Sequence, residues 1–193
     1  MSGKDDTQWP LVILDRDGVI NKESANFIKN ADEWIPIEGS LEAIARICRA
    51  GYSVVIITNQ SGIARRLFTT ADLNDIHIKM LQQLKDLGGD IEAILFCPHG
   101  PDDGCQCRKP NPGLFKDLIH RMAVRLDGVY AVGDSERDLI AAHAAGAKPV
   151  LVTTGNGKKT YKDIAGYKSR WVENLPVFDN LAAFADFLLK PAD

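Results

Sequence analysis

The chain has 193 residues, 45% of them hydrophobic and 25% charged, which is enough to bury one sizeable core. Its formal net charge of −3 and the lack of any long Lys/Arg run argue against a surface that tracks nucleic acid or an anionic membrane, because both depend on clustered cations. The polar start of the chain, residues 1–10, lacks an apolar stretch of signal-peptide length, and no apolar run nears the roughly 18 residues that span a bilayer. The expectation is a cytoplasmic monomer, a single domain over residues 1–193.

In chain order, Leu11–Leu14 is short and apolar on consecutive positions, as a buried parallel strand is. Ser40–Ala50 reads as a helix stopped by Gly51, and Val54–Ile57 as a second strand. Thr70 opens a helix over Ala71–Leu87, with Asp72 in its first turn and Gly88-Gly89 beyond its end. Leu73, Ile76, Met80, Leu84 and Leu87 recur there at helical spacing and form a core face. Ile91–Phe96 is the third strand, and Asn111-Pro112 supplies a cap and a first-turn proline for the third helix. Val129–Val132, the helix Ser135–Ala145 before Gly146, the strand Pro149–Val152 and the helix Leu181–Leu189 complete the series. Trp9, Trp34 and Trp171 can pack the edges of the core, and His77, His120 and His143 sit in helical segments as surface or core residues. Alternation of this kind predicts an α/β fold with a doubly wound, Rossmann-like parallel sheet and helices on both faces. The insert between Gly18 and Trp34 is too short for an independent cap domain, so any cap is minimal and the site is open.

Ligands of such sheets bind beyond the carboxyl ends of the strands. There the chain places Asp15-Arg16-Asp17-Gly18, then Thr58-Asn59-Gln60-Ser61-Gly62, then Gly133-Asp134-Ser135-Glu136-Arg137-Asp138, with Arg108-Lys109-Pro110 before the third helix. Taken singly, each has a plain structural use: a turn, a strand-end hydroxyl, a solvated lysine, a helix cap. Together they deliver carboxylates, a hydroxyl and a lysine to one rim. A phosphate dianion about 4 Å from a carboxylate is repelled by roughly 8 kcal/mol at an effective dielectric of about 20, so an aspartate nucleophile needs cations beside it. Oxygen ligands from Asp15 and Asp134, with a main-chain carbonyl of the first loop, suit Mg²⁺. Lys109 adds a fixed charge on the phosphoryl oxygens, and Thr58 orients them for in-line attack.

The segment Asp15-Arg16-Asp17-Gly18-Val19-Ile20-Asn21 with Thr58, Lys109 and Gly133-Asp134 through Asp138 resembles the four motifs of the haloacid dehalogenase superfamily, over nearly the whole chain. The resemblance implies that Asp15 is the nucleophile and that Asp17 is the general acid and base, lending its main-chain oxygen to magnesium.

A second motif runs Cys97-Pro98-His99 to Cys105-Gln106-Cys107. Three thiols and an imidazole form a closed Cys₃His set of the kind that holds structural Zn²⁺, here stiffening loop 97–107 and presenting Arg108 and Lys109. A redox-active cysteine cluster is the other use of such a loop. Followed by Arg-Lys-Pro, the motif resembles the branch of the superfamily that contains heptose-bisphosphate and histidinol-phosphate phosphatases, and Thr58 through Arg65 is similar to the heptose enzymes. What this implies is removal of the 7-phosphate from a small-molecule sugar bisphosphate, D-glycero-D-manno-heptose 1,7-bisphosphate, in the ADP- or GDP-heptose pathway. It also implies substrate contacts at Asp15, Arg16, Asp17, Glu23, Ser24, Ala25, Asn26, Thr58, Asn59, Gln60, Ser61, Arg108 and Lys109, with Arg108 at the distal end. Histidinol-phosphate phosphatase, polynucleotide 3′-phosphatase and a zinc-stabilised binding module without catalysis are the alternatives. The segment Thr154-Gly155-Asn156-Gly157-Lys158-Lys159-Thr160 lacks the first glycine and the hydroxyl of a nucleotide phosphate loop, and no nucleotide is expected there.

Overall fold

The computed structural model describes residues 10–166 and 170–190. The chain runs β1 (Leu11–Leu14), α1 (Ser40–Arg49), β2 (Ser53–Asn59), α2 (Thr70–Asp86), β3 (Ala93–Cys97), α3 (Gly113–Met122) and β4 (Tyr130–Gly133). It continues with α4 (Glu136–Ala144), β5 (Lys148–Val152), α5 (Gly157–Ile164), α6 (Arg170–Glu173), β6 (Val177–Phe178) and α7 (Leu181–Leu188). The strands form one sheet in the order β3-β2-β1-β4-β5-β6, and every neighbouring pair is parallel. Strand order reverses beside β1, so the loops after β1, β2 and β4 open into a common crevice at the carboxyl edge.

The two-residue period of a strand divides its apolar side chains between the faces. Val12, Leu14, Val54, Ile56, Val132 and Val150 pack on one side with Ile44 and Ile47 of α1, Ile76, Met80 and Leu84 of α2, Phe184 of α7 and Trp34. Leu11, Ile13, Val55, Ile57 and Ala131 pack on the other with Leu114, Phe115 and Leu118 of α3 and Ala141 and Ala142 of α4. β1 is buried on both faces, which is why its sequence shows an unbroken apolar run rather than alternation. No helix among the described residues is long and apolar enough to cross a membrane.

Several boundaries differ from the sequence-based expectation. The α2 cap is Thr69 rather than Thr70: its hydroxyl accepts from the Asp72 N–H and the Asp72 carboxylate accepts from the Thr69 N–H. Asn111 does not cap α3, because its side-chain amide donates to the Cys105 carbonyl at 2.9 Å and Pro112 occupies the cap position. β3 begins two residues later than expected and carries on to Cys97. The helices α5 and α6 and the two-residue strand β6, which pairs Val177 and Phe178 with Leu151 and Val152, were not expected. Trp34 is 1% exposed and belongs to the core rather than its edge. Trp9 and the side chain of Trp171 lie outside the described residues, as does most of the polar start of the chain.

Candidate active site

The carboxyl edge is organised around Lys109. Its ammonium, 2% exposed, lies 2.9 Å from Asp15 Oδ1 and 2.6 Å from Asp138 Oδ1, and donates to the Ile57 carbonyl at 2.8 Å. All three of its protons therefore have acceptors. Burial pulls the lysine pKa down, but Asp138 and Asp15 outweigh it and the net shift is upward. Asp15 shows the opposite balance. Burial, opposed by Lys109 and reinforced by Asp138 and Asp17, pushes its carboxyl up to about 6.

Asp17, two residues on, is held from three sides. Arg16 Nη2 donates to both of its oxygens at 2.8 and 2.9 Å, Asn21 Nδ2 to Oδ1 at 2.9 Å and Gln60 Nε2 to Oδ2 at 2.9 Å. Burial disfavours its charge, yet Arg16 and these donors prevail and its pKa is lowered. Gln60 Nε2 also lies 3.0 Å from Thr58 Oγ1, which joins the loops after β1 and β2. Asn59 closes a two-bond bracket on the main chain of Lys109: Nδ2 donates to its carbonyl and Oδ1 accepts from its N–H, both at 3.1 Å.

Asp134 ends β4 at 0% exposure. Its Oδ2 accepts from the Asn156 N–H at 2.7 Å and from Asn156 Nδ2 at 3.2 Å, whereas buried Oδ1 has no hydrogen-bond partner. Burial, then repulsion from Asp138 and Asp15, pushes its carboxyl up to about 8. Oxygens of Asp15, Asp134 and Asp138 lie within 4.8 Å of one another, a set able to hold a metal ion. Asp138 is already committed to Lys109 and to the hydroxyl of Ser135. That leaves Asp15 and the unpaired Asp134 oxygen as the side chains suited to a hard cation such as Mg²⁺. Two glycines make this approach possible. A Cβ on Gly18 or on Gly155 would stand 2.0 or 2.2 Å from Asp134 Oδ2, and both residues have positive φ.

The turn before α5 is the part of the site that sequence reasoning missed. Besides Asn156, Thr160 Oγ1 donates to the Asp134 carbonyl at 2.8 Å, and Thr154 Oγ1 to the Gly18 carbonyl at 2.6 Å. The segment that fails as a nucleotide loop is a brace for the acidic centre. Its signal in the sequence was its place after β5, the next strand end along the same rim.

A cleft of about 290 Å³ opens above these groups, lined by Asp15, Asp17, Glu23, Ser24, Ala25, Thr58, Asn59, Gln60, Ser61 and Arg108 from the expected set. Phe27, Ile28, Arg65 and Arg137, not expected there, also line it. Three expected contacts stand elsewhere. Arg16 is 1% exposed and faces inward, pairing with Asp17 and reaching His77 Nε2 at 3.4 Å. Asn26 is exposed and its N–H donates to Ser24 Oγ. Lys109 lies beneath the cleft, behind Asp15. Glu23 is at the rim, its carboxyl pushed up to about 7 by partial desolvation and by Asp17 and Asp15.

Cys97, His99, Cys105 and Cys107 converge beside the cleft. Cys97 Sγ lies 3.6 Å from both His99 Nδ1 and Cys105 Sγ, and Cys107 Sγ lies 3.2 Å from Cys97 Sγ, 3.5 Å from Cys105 Sγ and 3.2 Å from His99 Nδ1. Ligands about 2.0–2.3 Å from a tetrahedral zinc are separated by roughly 3.5–3.8 Å; three of these separations match and the two at 3.2 Å need a few tenths of an ångström of opening, so the set can close around that ion. The loop is tied to the catalytic edge through Asn111 on Cys105 and through Arg108 Nη1, which donates to the His99 carbonyl at 3.1 Å.

A buried aspartate beside a lysine, a second aspartate held by Arg16, Asn21 and Gln60, and a pair of oxygens suited to a hard cation at a Rossmann switch point are the site of a magnesium-dependent phosphatase. A family model described as HAD-hydrolase-like matches residues 106–182. The D-glycero-beta-D-manno-heptose-1,7-bisphosphate 7-phosphatase of Bordetella bronchiseptica is 54% identical over 94% of this chain and 99% of its own, and that of Pseudomonas aeruginosa is 48% identical over 93% and 98%. The crystal structure of the B. bronchiseptica D,D-heptose 1,7-bisphosphate phosphatase complexed with magnesium and phosphate superposes with a TM-score of 0.90 at 55% identity, covering 95% of this chain and 99% of that one. The chain belongs to the heptose-bisphosphate phosphatase family of the HAD-like hydrolases.

Proposed function

We propose that this protein removes the 7-phosphate of D-glycero-β-D-manno-heptose 1,7-bisphosphate, as a cytoplasmic, single-domain monomer serving the ADP- or GDP-heptose pathway. The observation that carries the chemistry is the Lys109 ammonium seated between Asp15 and Asp138 while one buried oxygen of Asp134 stays unpaired. The substrate rests on the family and on a cleft whose rim carries arginines above an acidic floor.

Asp15 attacks phosphorus in line, and the bond from phosphorus to the sugar oxygen breaks. Asp17, which must be freed from its donors and carry a proton when substrate is bound, gives that proton to the departing oxygen, then takes one from the water that attacks the aspartyl phosphate, releasing phosphate and restoring Asp15. Thr58 orients the phosphoryl oxygens and Lys109 neutralises them. Magnesium, held by Asp15, Asp134 and the main-chain oxygen of Asp17, supplies the positive charge that lets carboxylate and phosphate approach. Zinc in the Cys₃His loop is structural, because four protein donors leave no position for water.

The test compares kcat/KM for both anomers of the heptose bisphosphate, for histidinol phosphate and for a 3′-phosphorylated oligonucleotide. The β anomer is expected to lead. Preference for histidinol phosphate overturns the substrate, and activity confined to the oligonucleotide overturns the metabolite class.

A further inference from the structure

Arg16 is 1% exposed, and among the described residues its one carboxylate partner is Asp17. Its Nε and Nη2 turn to that carboxylate, whereas Nη1 turns away to His77 Nε2 at 3.4 Å. A guanidinium can only donate, so Nε2 accepts and the imidazole proton sits on Nδ1. Burial and the Arg16 charge push the His77 pKa down to about 4, which keeps the ring neutral and able to accept at neutral pH. The reaction as derived above gives this histidine no task.

The ring stands on a rigid support. His77 belongs to α2, whose Leu73, Ile76, Met80 and Leu84 are buried. Two residues on, the Lys79 ammonium donates to the Ala31 carbonyl at 2.6 Å and to the Trp34 carbonyl at 3.1 Å, which ties α2 to the insert after β1. A continuous line of contacts therefore runs from the helix through His77 and Arg16 to Asp17. Its first link matters when the Asp17 carboxyl turns from the guanidinium to the leaving oxygen. Arg16 then gives up its carboxylate at a buried position, where an unmatched donor is strongly disfavoured, and His77 Nε2 is the acceptor that stays.

We propose that His77 is a positioning residue for the departure of the leaving group: by holding Arg16 in register, it sets where the Asp17 carboxyl stands when the sugar oxygen departs. The inference rests on the reading of Asp17 as general acid and base given above. His77 does not line the cleft, so it acts through Arg16 rather than on the substrate. Without its acceptor the guanidinium must rotate to satisfy Nη1, and the carboxylate bound to Nη2 is displaced with it.

The experiment measures kcat/KM, which reads the steps up to departure of the alcohol, on the heptose bisphosphate and on p-nitrophenyl phosphate, whose phenolate leaves without needing a proton. Wild type, His77→Phe, His77→Asn, His77→Gln and Asp17→Asn are compared. H77F keeps a ring without the acceptor, H77N carries an amide too short to reach Arg16, and H77Q brings an amide oxygen near the place of Nε2. H77F and H77N should lose about 10- to 100-fold on the sugar phosphate, with a loss at least tenfold smaller on the aryl phosphate. H77Q should recover most of that difference, and H77N carries the comparison if H77F does not fold. D17N should show the same selectivity with a larger loss. If D17N is selective, then no loss in the two acceptor-free variants, equal losses on both substrates, or an H77Q as impaired as H77F overturns the role of His77 alone. A D17N that loses equally on both substrates overturns the general-acid reading and this inference with it.

Discussion

Two groups of metal-type donors stand side by side in this molecule and are built in opposite ways. The oxygen centre draws Asp15 and Asp134 from two strand ends, Lys109 from a loop and Asp138 from the first turn of α4, over more than half of the chain. The sulfur centre draws all four donors from one loop of eleven residues, Cys97 to Cys107. The first leaves one buried oxygen of Asp134 unpaired, and the second closes on itself. Hard donors with open positions admit a substrate oxygen, whereas four soft donors hold an ion for its stiffness. The two are mechanically joined, since Lys109 lies two residues beyond Cys107 and Asn59 brackets its main chain.

The contrast is broken most severely by Asp15→Asn. Phosphate release is expected to fall by more than about 10⁴-fold, because in the proposed mechanism the covalent intermediate forms on this carboxylate. Removing a charge that burial disfavours should leave the chain folded, with its Tm in chelator no lower than wild type; substantial turnover by homogeneous, non-deamidated D15N refutes the nucleophile.

Cys105→Ser acts on the other centre and should separate stability from chemistry. Bound zinc, read by metal analysis, is expected to drop well below one per chain, and Tm by about 5–10 °C, or ~2–3 kcal/mol. The kcat should fall about tenfold through the loosened Lys109 while its magnesium dependence persists. Unaltered metal content and Tm would mean that the loop holds no structural ion.

The smallest effect is a pH slope confined to the oxygen centre. Below about pH 6.5 two shifts oppose each other. Asp15, raised to about 6, makes stability fall with pH, and His77, lowered to about 4 by burial and by Arg16, makes it rise. Between about pH 6.5 and 8 the groups still titrating are Glu23 at the rim, raised to about 7, and buried Asp134, raised to about 8, and the folded state there holds more protons than the unfolded. Stability in chelator should therefore decline across that window, and saturating Mg²⁺ should flatten the decline. Equal slopes with and without Mg²⁺, from denaturant titrations, would remove Asp134 from the metal site.

Much of this was legible before any coordinates. Buried parallel strands show as consecutive apolar runs, so β1, β2, β4 and β5 could be read, and with them the loops that carry Asp15, Thr58 and Asp134. The two residues of β6 are too few to show a period. α5 buries only Gly157, Thr160 and Ile164, and its lysines mask that narrow stripe. The family resemblance implied a substrate contact at Arg16, whereas its side chain is turned inward to Asp17 and His77. Arg65 and Phe27 lie 38 positions apart, and only the folded loops bring them together.

Asp134 and its brace at Asn156 lie late in the chain, far beyond the proposed nucleophile Asp15. During synthesis the amino-terminal portion emerges first, with its reactive carboxylate still lacking the partner and the props that the later segment brings. The proposed chemistry therefore waits until β4, β5 and the turn beyond them have joined the sheet.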